Sequence, residues 1–216
     1  MKPNPLSDAL QFLAHPAWTT AVYWLLLLGS IIVAVYAWRT IPSQRSWSHV
    51  GNWLCRFFVG TMWWQQTLWK LPPLYTDNPS DPTNSGLHYW MMQEGQGAAF
   101  QWQADFVNHL VLPNFYFFAP IVYGLEVLTA ISLILGIFVR LWGWIGALQI
   151  LNLWLGLYNV QGEWPWTYFF LLVLMVIFAL HRYGRSLGLD AIIAERAARG
   201  QMYTAAPLRG WLNVLG

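Results

Sequence analysis

The chain predicts an all-α integral membrane protein with five transmembrane helices, a four-helix bundle plus one extra helix at the N-terminus. Three observations lead there. Of its 216 residues, 57% are hydrophobic and 9% charged, where a soluble domain averages about 25% charged. The apolar residues run in long blocks with no alternation of faces, as a chain solvated by lipid requires. Most of the 16 tryptophans fall near the ends of those blocks, where amphipathic rings settle at a membrane–water interface.

The elements follow in order. Met1 to Pro16 is short and polar, with room for an interfacial helix over Leu6–Ala14. Trp18 to Trp38 carries no charge and stops at Arg39. Its length and the lack of an A-x-A site after it favour a retained helix over a signal peptide. The second span is Trp47 to Trp69, with Arg56 inside it and Lys70, Pro72 and Pro73 ending it. Leu74 to Asn114 is a long connection. Its first part, YTDNPSDPTNSG, is turn-rich, and Leu87 to Leu112 is helical in pieces, with an apolar stripe that suits a helix lying on a bundle or membrane surface. The third span, Phe115 to Val139, contains Pro120 and Glu126. A tight turn at Arg140 leads to the fourth, Leu141 to Val160, interrupted by Gln149, Asn152 and Asn159. The fifth is Trp164 to Leu180, and Asp190 to Arg199 forms a surface helix in a basic tail. The chain so divides into an N-terminal segment 1–46 with the extra helix, a four-helix core 47–192 with an outer loop 71–114, and a tail 193–216.

Five spans place Arg39, Arg45, Arg140, Arg182, Arg185, Arg196, Arg199 and Arg209 on one side, with Arg56 just inside it. Lys2 and Lys70 lie on the other, with Asp77, Asp81, Glu94, Asp105 and Glu163. Positive charge marks the cytoplasmic face. The expected topology is an N-terminus outside, a C-terminus in the cytoplasm and the long loop facing the periplasm or exterior, in a bacterial or archaeal cytoplasmic membrane.

Ionisable groups in the apolar segments are costly and need partners. Helical rise puts Arg56 about 12 Å from the cytoplasmic end, Glu126 about 20 Å, Asn152 about 16 Å and Gln149 about 12 Å. They share one slab, so an Arg56–Glu126 pair is expected, with Asn152 and Gln149 adding hydrogen bonds. Its role is either to fix helix register or to hold a quinone head group, with Arg56 donating to a carbonyl oxygen and Glu126 relaying a proton. On this reading Arg56, Glu126 and Asn152 are the catalytic candidates, joined by Gln149 for cofactor binding. A second group, Trp63, Trp64, Gln65, Gln66, Lys70, His88 and His109, lies towards the outer side. Lys70 and His109 are the candidates for substrate entry, Lys70 as an attractor of a small anion or as a plain interface anchor. The single cysteine, Cys55, excludes an intramolecular disulfide and any multi-cysteine metal site. The histidines lack metal-ligand spacing, so neither metal nor haem is expected, and no basic patch points to nucleic acid.

Four stretches carry a resemblance: RFFVGTMWWQQTLWKLP (Arg56–Pro72), HLVLPN (His109–Asn114), GLEVLTAISLILGIFVRLWGWIGALQILNLWLG (Gly124–Gly156) and GRSLGLD (Gly184–Asp190). In order and spacing they resemble the DoxX/DoxD family of small membrane proteins over roughly residues 50–192. The resemblance implies a four-helix bundle working beside partner subunits. In DoxD-type members this is the small subunit of thiosulfate:quinone oxidoreductase. Family motif positions fall on Arg56, Gly60, Lys70, Glu126, Gly136, Arg140, Asn152, Gly184, Arg185 and Asp190. The helix Trp18–Trp38 and the extended tail depart from the family core and suit contact with another subunit. The expected function is a quinone-linked membrane subunit passing electrons from thiosulfate or another sulfur compound to quinone. The alternative is a non-catalytic subunit at the edge of a larger respiratory or photosynthetic complex. A permease ranks below both, because no inverted repeat is apparent.

Overall fold

The computed structural model describes residues 4–200. Every regular element among them is helical, and none is a strand. The helices are α1 (Pro5–Ala14), α2 (Trp18–Thr40), α3 (Trp47–Thr67), α4 (Gly86–Gly97), α5 (Gln101–Phe106), α6 (Phe115–Leu135), α7 (Val139–Gly156), α8 (Pro165–Leu180) and α9 (Leu189–Ala198). Each expected element is present, with ends moved by a few residues. Lys2 and Arg209, which entered the charge comparison, and the tail beyond residue 200 lie outside the described residues.

Two helical runs are long and apolar enough to cross a membrane: Trp18–Thr40 and the continuous run Gln101–Leu135. α3 and α7 have 21 and 18 residues, but Arg56, Gln65 and Gln66 on one and Arg140, Gln149 and Asn152 on the other dilute their apolar character. α8 has 16 residues, short of the roughly 20 that a bilayer core asks for. The polar residues that draw attention to the bundle are the ones that weaken its signature as membrane spans.

α3 packs along α6 and α7 along α8, with α6 and α7 joining the two pairs. Small residues allow the close crossings. A Cβ on Gly60 would press on Ile134 and Leu133, and one on Gly143 would press on the backbone of Ala179. Between the pairs lies a core that includes Val59, Leu133, Ile134, Ile150, Met175 and Phe178. α2 lies outside this group against α6. Its Ser30 hydroxyl donates to the Ile134 carbonyl at 2.7 Å and accepts from Trp53 Nε1 at 3.0 Å. The outer face of α2, with Leu25, Leu28, Ile32 and Val35, is exposed.

One end of the bundle is closed by the GRSLGLD stretch. α6 stops at Gly136, whose φ of 72° is left-handed, and the Gly136 and Ile137 N–H groups both donate to the Ser132 carbonyl. This is a common helix stop that glycine makes without steric cost. α7 starts three residues later, at Val139, and its N-cap residue Phe138 offers no side-chain cap. Asp190 supplies one from 52 residues away: its Oδ1 accepts from Phe138 N at 2.9 Å and its Oδ2 from Val139 N at 3.3 Å. Asp190 N in turn donates to the Gly136 carbonyl at 2.8 Å. Gly184 leaves the room that the Asp190 carboxylate fills. Burial pushes the Asp190 carboxyl up, opposed by the two backbone hydrogen bonds and by Arg56 and Arg185.

The opposite end carries the segment between α3 and α6. α4 is held against the end of α7 by backbone bonds from Ala99 N to the Leu155 carbonyl (2.7 Å) and from Asn159 N to the Gly97 carbonyl (2.9 Å). Gly156 makes the approach possible, since a Cβ there would meet the Glu94 side chain. α5 continues through a wider π turn over Val107–Val111 into α6. The expected surface helix is thus a cover whose inner face packs on the bundle.

Candidate ligand-binding cavity

Under that cover lies a cavity of about 1150 Å³. α3 contributes Met62, Trp63 and Gln66, followed by Trp69 and Lys70 just beyond its end; α6 contributes Leu125 and Glu126. Gln149 and Asn152 come from α7, Tyr168 from α8, and Trp90 and Glu94 from α4. The walls are mostly apolar and aromatic. Exposed Asp77 lines one end, while Met62, Phe106 and Leu148, which also line it, are exposed on the apolar flank of the bundle. The cavity therefore communicates both with the loop end and with the apolar exterior.

Its centre is an ion pair. Lys70 Nζ donates to Glu126 Oε1 at 2.5 Å, with both side chains close to fully buried. The ammonium also sits 4.4 Å from the centroid of the Trp69 ring, a favourable cation–π distance. Beside the pair, Glu94 Oε2 accepts from Asn152 Nδ2 at 2.9 Å, and Asn152 Oδ1 accepts from Gln103 Nε2 at 2.9 Å. Glu94 is 6% exposed. Burial pushes its carboxyl up to about 7, against the Asn152 hydrogen bond and the Lys70 ammonium, which pull it down. At the rim, Tyr168 donates to Glu163 Oε2 at 2.7 Å.

Several buried polar atoms in the lining lack a hydrogen-bond partner: Trp63 Nε1, Glu126 Oε2, and both Oε1 and Nε2 of Gln149. A buried polar atom left unpaired costs about 1–3 kcal/mol, and folded proteins pair nearly all of theirs. These residues line the cavity from three helices, Trp63 from α3, Glu126 from α6 and Gln149 from α7.

The slab expected from helix depth separates into two sites. Glu126, Gln149 and Asn152 line one cavity, but the expected hydrogen bonds to Glu126 are not made: Asn152 bonds Glu94 and Gln103, and the Gln149 amide has no partner. Arg56 does not join them, and the expected Arg56–Glu126 pair is replaced by Lys70–Glu126. Arg56 is fully buried, and its Nη1 donates to the carbonyls of Leu133 and, at 3.1 Å, Ile134. Those carbonyls are two turns along α6 from Glu126, about 10 Å at helical rise. The guanidinium lies against Gly136, where any Cβ would strike it, and within electrostatic reach of Asp190. Arg56 thus secures the closed end and does not line the cavity, so its expected cofactor contact is absent. Depth along separate helices fixes the level of each residue but not its azimuth, and Lys70, beyond the end of α3, reaches Glu126 with its long side chain.

The entry residues also change place. Lys70 lies inside the cavity, not at its mouth, and its charge is matched by Glu126. His109 is exposed, bonded to the Asp105 carbonyl at 3.1 Å, and does not line the cavity. Glu94 and Gln103, absent from the sequence-based site, sit at its centre. In the sequence Glu94 stands between Gln93 and Gln96 in MMQEGQGAAF, where polar neighbours make one more acid unremarkable. Among the described residues, no group of three or more His, Cys, Asp or Glu is arranged to hold a metal ion.

No protein-family model, curated protein or solved structure matches this chain.

Proposed function

We propose that the chain is the quinone-binding membrane subunit of an oxidoreductase of DoxX/DoxD type, with α2, α3, α6, α7 and α8 crossing the bilayer. The observation that carries the reading is the set of unpartnered atoms of Trp63, Glu126 and Gln149 on the wall of an aromatic cavity that reaches the apolar flank. A quinone fits that donor set. Its carbonyl oxygens accept from Gln149 Nε2, Trp63 Nε1 or the remaining Lys70 N–H groups. Its ring lies among Trp63, Trp69 and Trp90, and its tail leaves past Met62 or Leu148 into lipid. When bound, quinone supplies two-electron, two-proton redox chemistry. The protein orients it, excludes bulk water from its oxygens and holds protonatable groups beside them.

A sulfur anion does not suit the same cavity. Its ionisable lining comprises Asp77, Glu94, Glu126 and Glu163 against Lys70 alone among basic residues. A small dianion would be repelled there. The electron donor accordingly binds elsewhere, on a partner subunit, and the cavity serves as the quinone end of the path.

The test is titration of the detergent-solubilised protein with a short-tailed benzoquinone, read by quenching of the cavity tryptophans. Saturable quenching is expected, and Gln149→Leu, which removes one hydrogen bond, should weaken binding about tenfold. Quenching that is non-saturable, or that Gln149→Leu and Glu126→Gln leave unchanged, contradicts the proposal.

A further inference from the structure

The cavity contains a carboxyl group that ligand binding alone does not require. Glu94 comes from the cover, not from the bundle. Its backbone is clamped to the end of α7 by Ala99–Leu155 and Asn159–Gly97 bonds, and Gly156 admits its side chain. It is aimed inward, with one oxygen on Asn152 and the Asn152 amide held by Gln103. The same cavity carries Glu126 deeper on α6 and exposed Asp77 towards the loop end. Carboxylates therefore line it from the water-facing loop to the ion pair.

We propose that Glu94 is the group through which the cavity exchanges protons with water on the loop side, so that reduction of a bound quinone draws its protons from that side. This rests on the quinone reading above. The Glu94 O–H bond breaks as an O–H bond forms at a quinone oxygen, and the carboxylate takes another proton from loop-side water. Two such cycles deliver the two protons that accompany two electrons. The electrons come from a donor of the sulfur-anion class on the partner subunit, where two anions join through an S–S bond and release them.

The charged and titratable groups facing Glu94 are consistent with this role. Lys70 and Glu126 approach from α3 and α6, and Tyr168, bonded to Glu163, from α8. α7 presents the neutral Asn152 and Gln149. On the α5 side, Asp105 and His109 are exposed on the outer surface. Lys70 is committed to Glu126, so among the described residues Glu94 has no ion-pair partner of its own, and burial holds its carboxyl up at about 7, where a carboxyl both gives and takes protons readily.

The experiment is infrared spectroscopy of the protonated-carboxyl C=O band during a pH titration, with the full chain in sealed vesicles, the loop facing the bulk and no quinone added. A band that disappears around pH 7 as the external pH is raised is expected, and it should be missing in Glu94→Gln. In Asn152→Ala, which loses a bond that favours the ionised form, the midpoint should move to higher pH; this variant keeps the Glu94 carboxyl and so guards against a Glu94→Gln protein that fails to fold. The proposal is overturned if the band persists in Glu94→Gln, if no carboxyl titrates between about pH 5 and about pH 9, or if the band follows the internal pH. Tryptophan quenching by quinone, measured on the same preparation, tests the quinone reading separately: its failure leaves the infrared result standing, and the reverse also holds.

Discussion

Lys70 and Glu126 form a buried pair whose energetics are asymmetric. Removing one partner strands a charge in an apolar wall at a cost of about 3–5 kcal/mol, while replacing both by apolar residues of similar size is near neutral. Lys70→Met should therefore lower the thermal midpoint in detergent sharply, and Lys70→Met with Glu126→Leu should restore most of it. A double variant no better than Lys70→Met would mean the lysine acts through something other than Glu126. Glu94 has a different signature. Its carboxyl binds its proton more tightly in the folded state, up to about 7, than in the unfolded chain. The folded state then holds more protons between about pH 4.5 and about pH 7, and stability falls as pH rises through that window. The full loss is about 3 kcal/mol, and Glu94→Gln should flatten that part of the stability–pH profile. Of these residues the sequence made Glu126 legible, because one acid in a long apolar block stands out. It did not reveal the partner. Arg56 and Lys70 are both cations of α3 or its end, and which of them meets Glu126 depends on how α3 and α6 are staggered, a property of packing at Gly60 that no single-helix count contains.

At the scale of elements, the bundle depends on a few close contacts between helices remote in sequence. Asp190 caps α7 from outside it, and loss of an N-cap acceptor costs about 0.5–2 kcal/mol. Asp190→Ala should lose that amount and loosen the closed end, whereas Asp190→Asn, which keeps one acceptor oxygen, should lose less; hydrogen exchange at Phe138 and Val139 N–H reports the difference. Gly60→Val should be more damaging, since a side chain there drives α3 away from Ile134 and Leu133 and moves Lys70 relative to Glu126. The helices themselves were legible from their apolar blocks and from Pro72 and Pro73 after α3, but the expected third span ran on to Val139, past the stop that Gly136 makes. The GRSLGLD stretch supplies this cap through Asp190. The role of α4 and α5 as a lid that inserts Glu94 was not visible, because their mixed polarity suits a helix on any surface and the sequence does not say which groove it covers.

Among the described residues the molecule is an all-helical assembly with two runs long and apolar enough to cross a membrane, and α3, α7 and α8 pack with them. The five-span topology predicts the loop 71–114 and the N-terminus on one side and the Arg140 turn on the other. In a Cys55→Ala background, a cysteine at Asp81 should react with an impermeant maleimide from outside intact cells, and one at Arg199 only after lysis. Equal labelling of both in intact cells would remove a span from the account. The two runs long enough to cross a membrane are legible from composition, whereas the polar residues that build the cavity dilute the apolar character of α3 and α7.

The most direct measurement is the quinone content of the protein as it leaves the membrane. The chain is extracted in mild detergent and purified, its particle mass and accompanying chains are recorded, and the bound lipid-soluble quinone is quantified by chromatography. The account predicts quinone bound in proportion to the chain, and markedly less in Gln149→Leu and Glu126→Gln particles of the same mass. Quinone absent from the native particle, or retained equally by both variants, would contradict it. If such a particle also proved large and rich in cofactor-bearing partners, the chain would be a structural subunit at the edge of a larger complex.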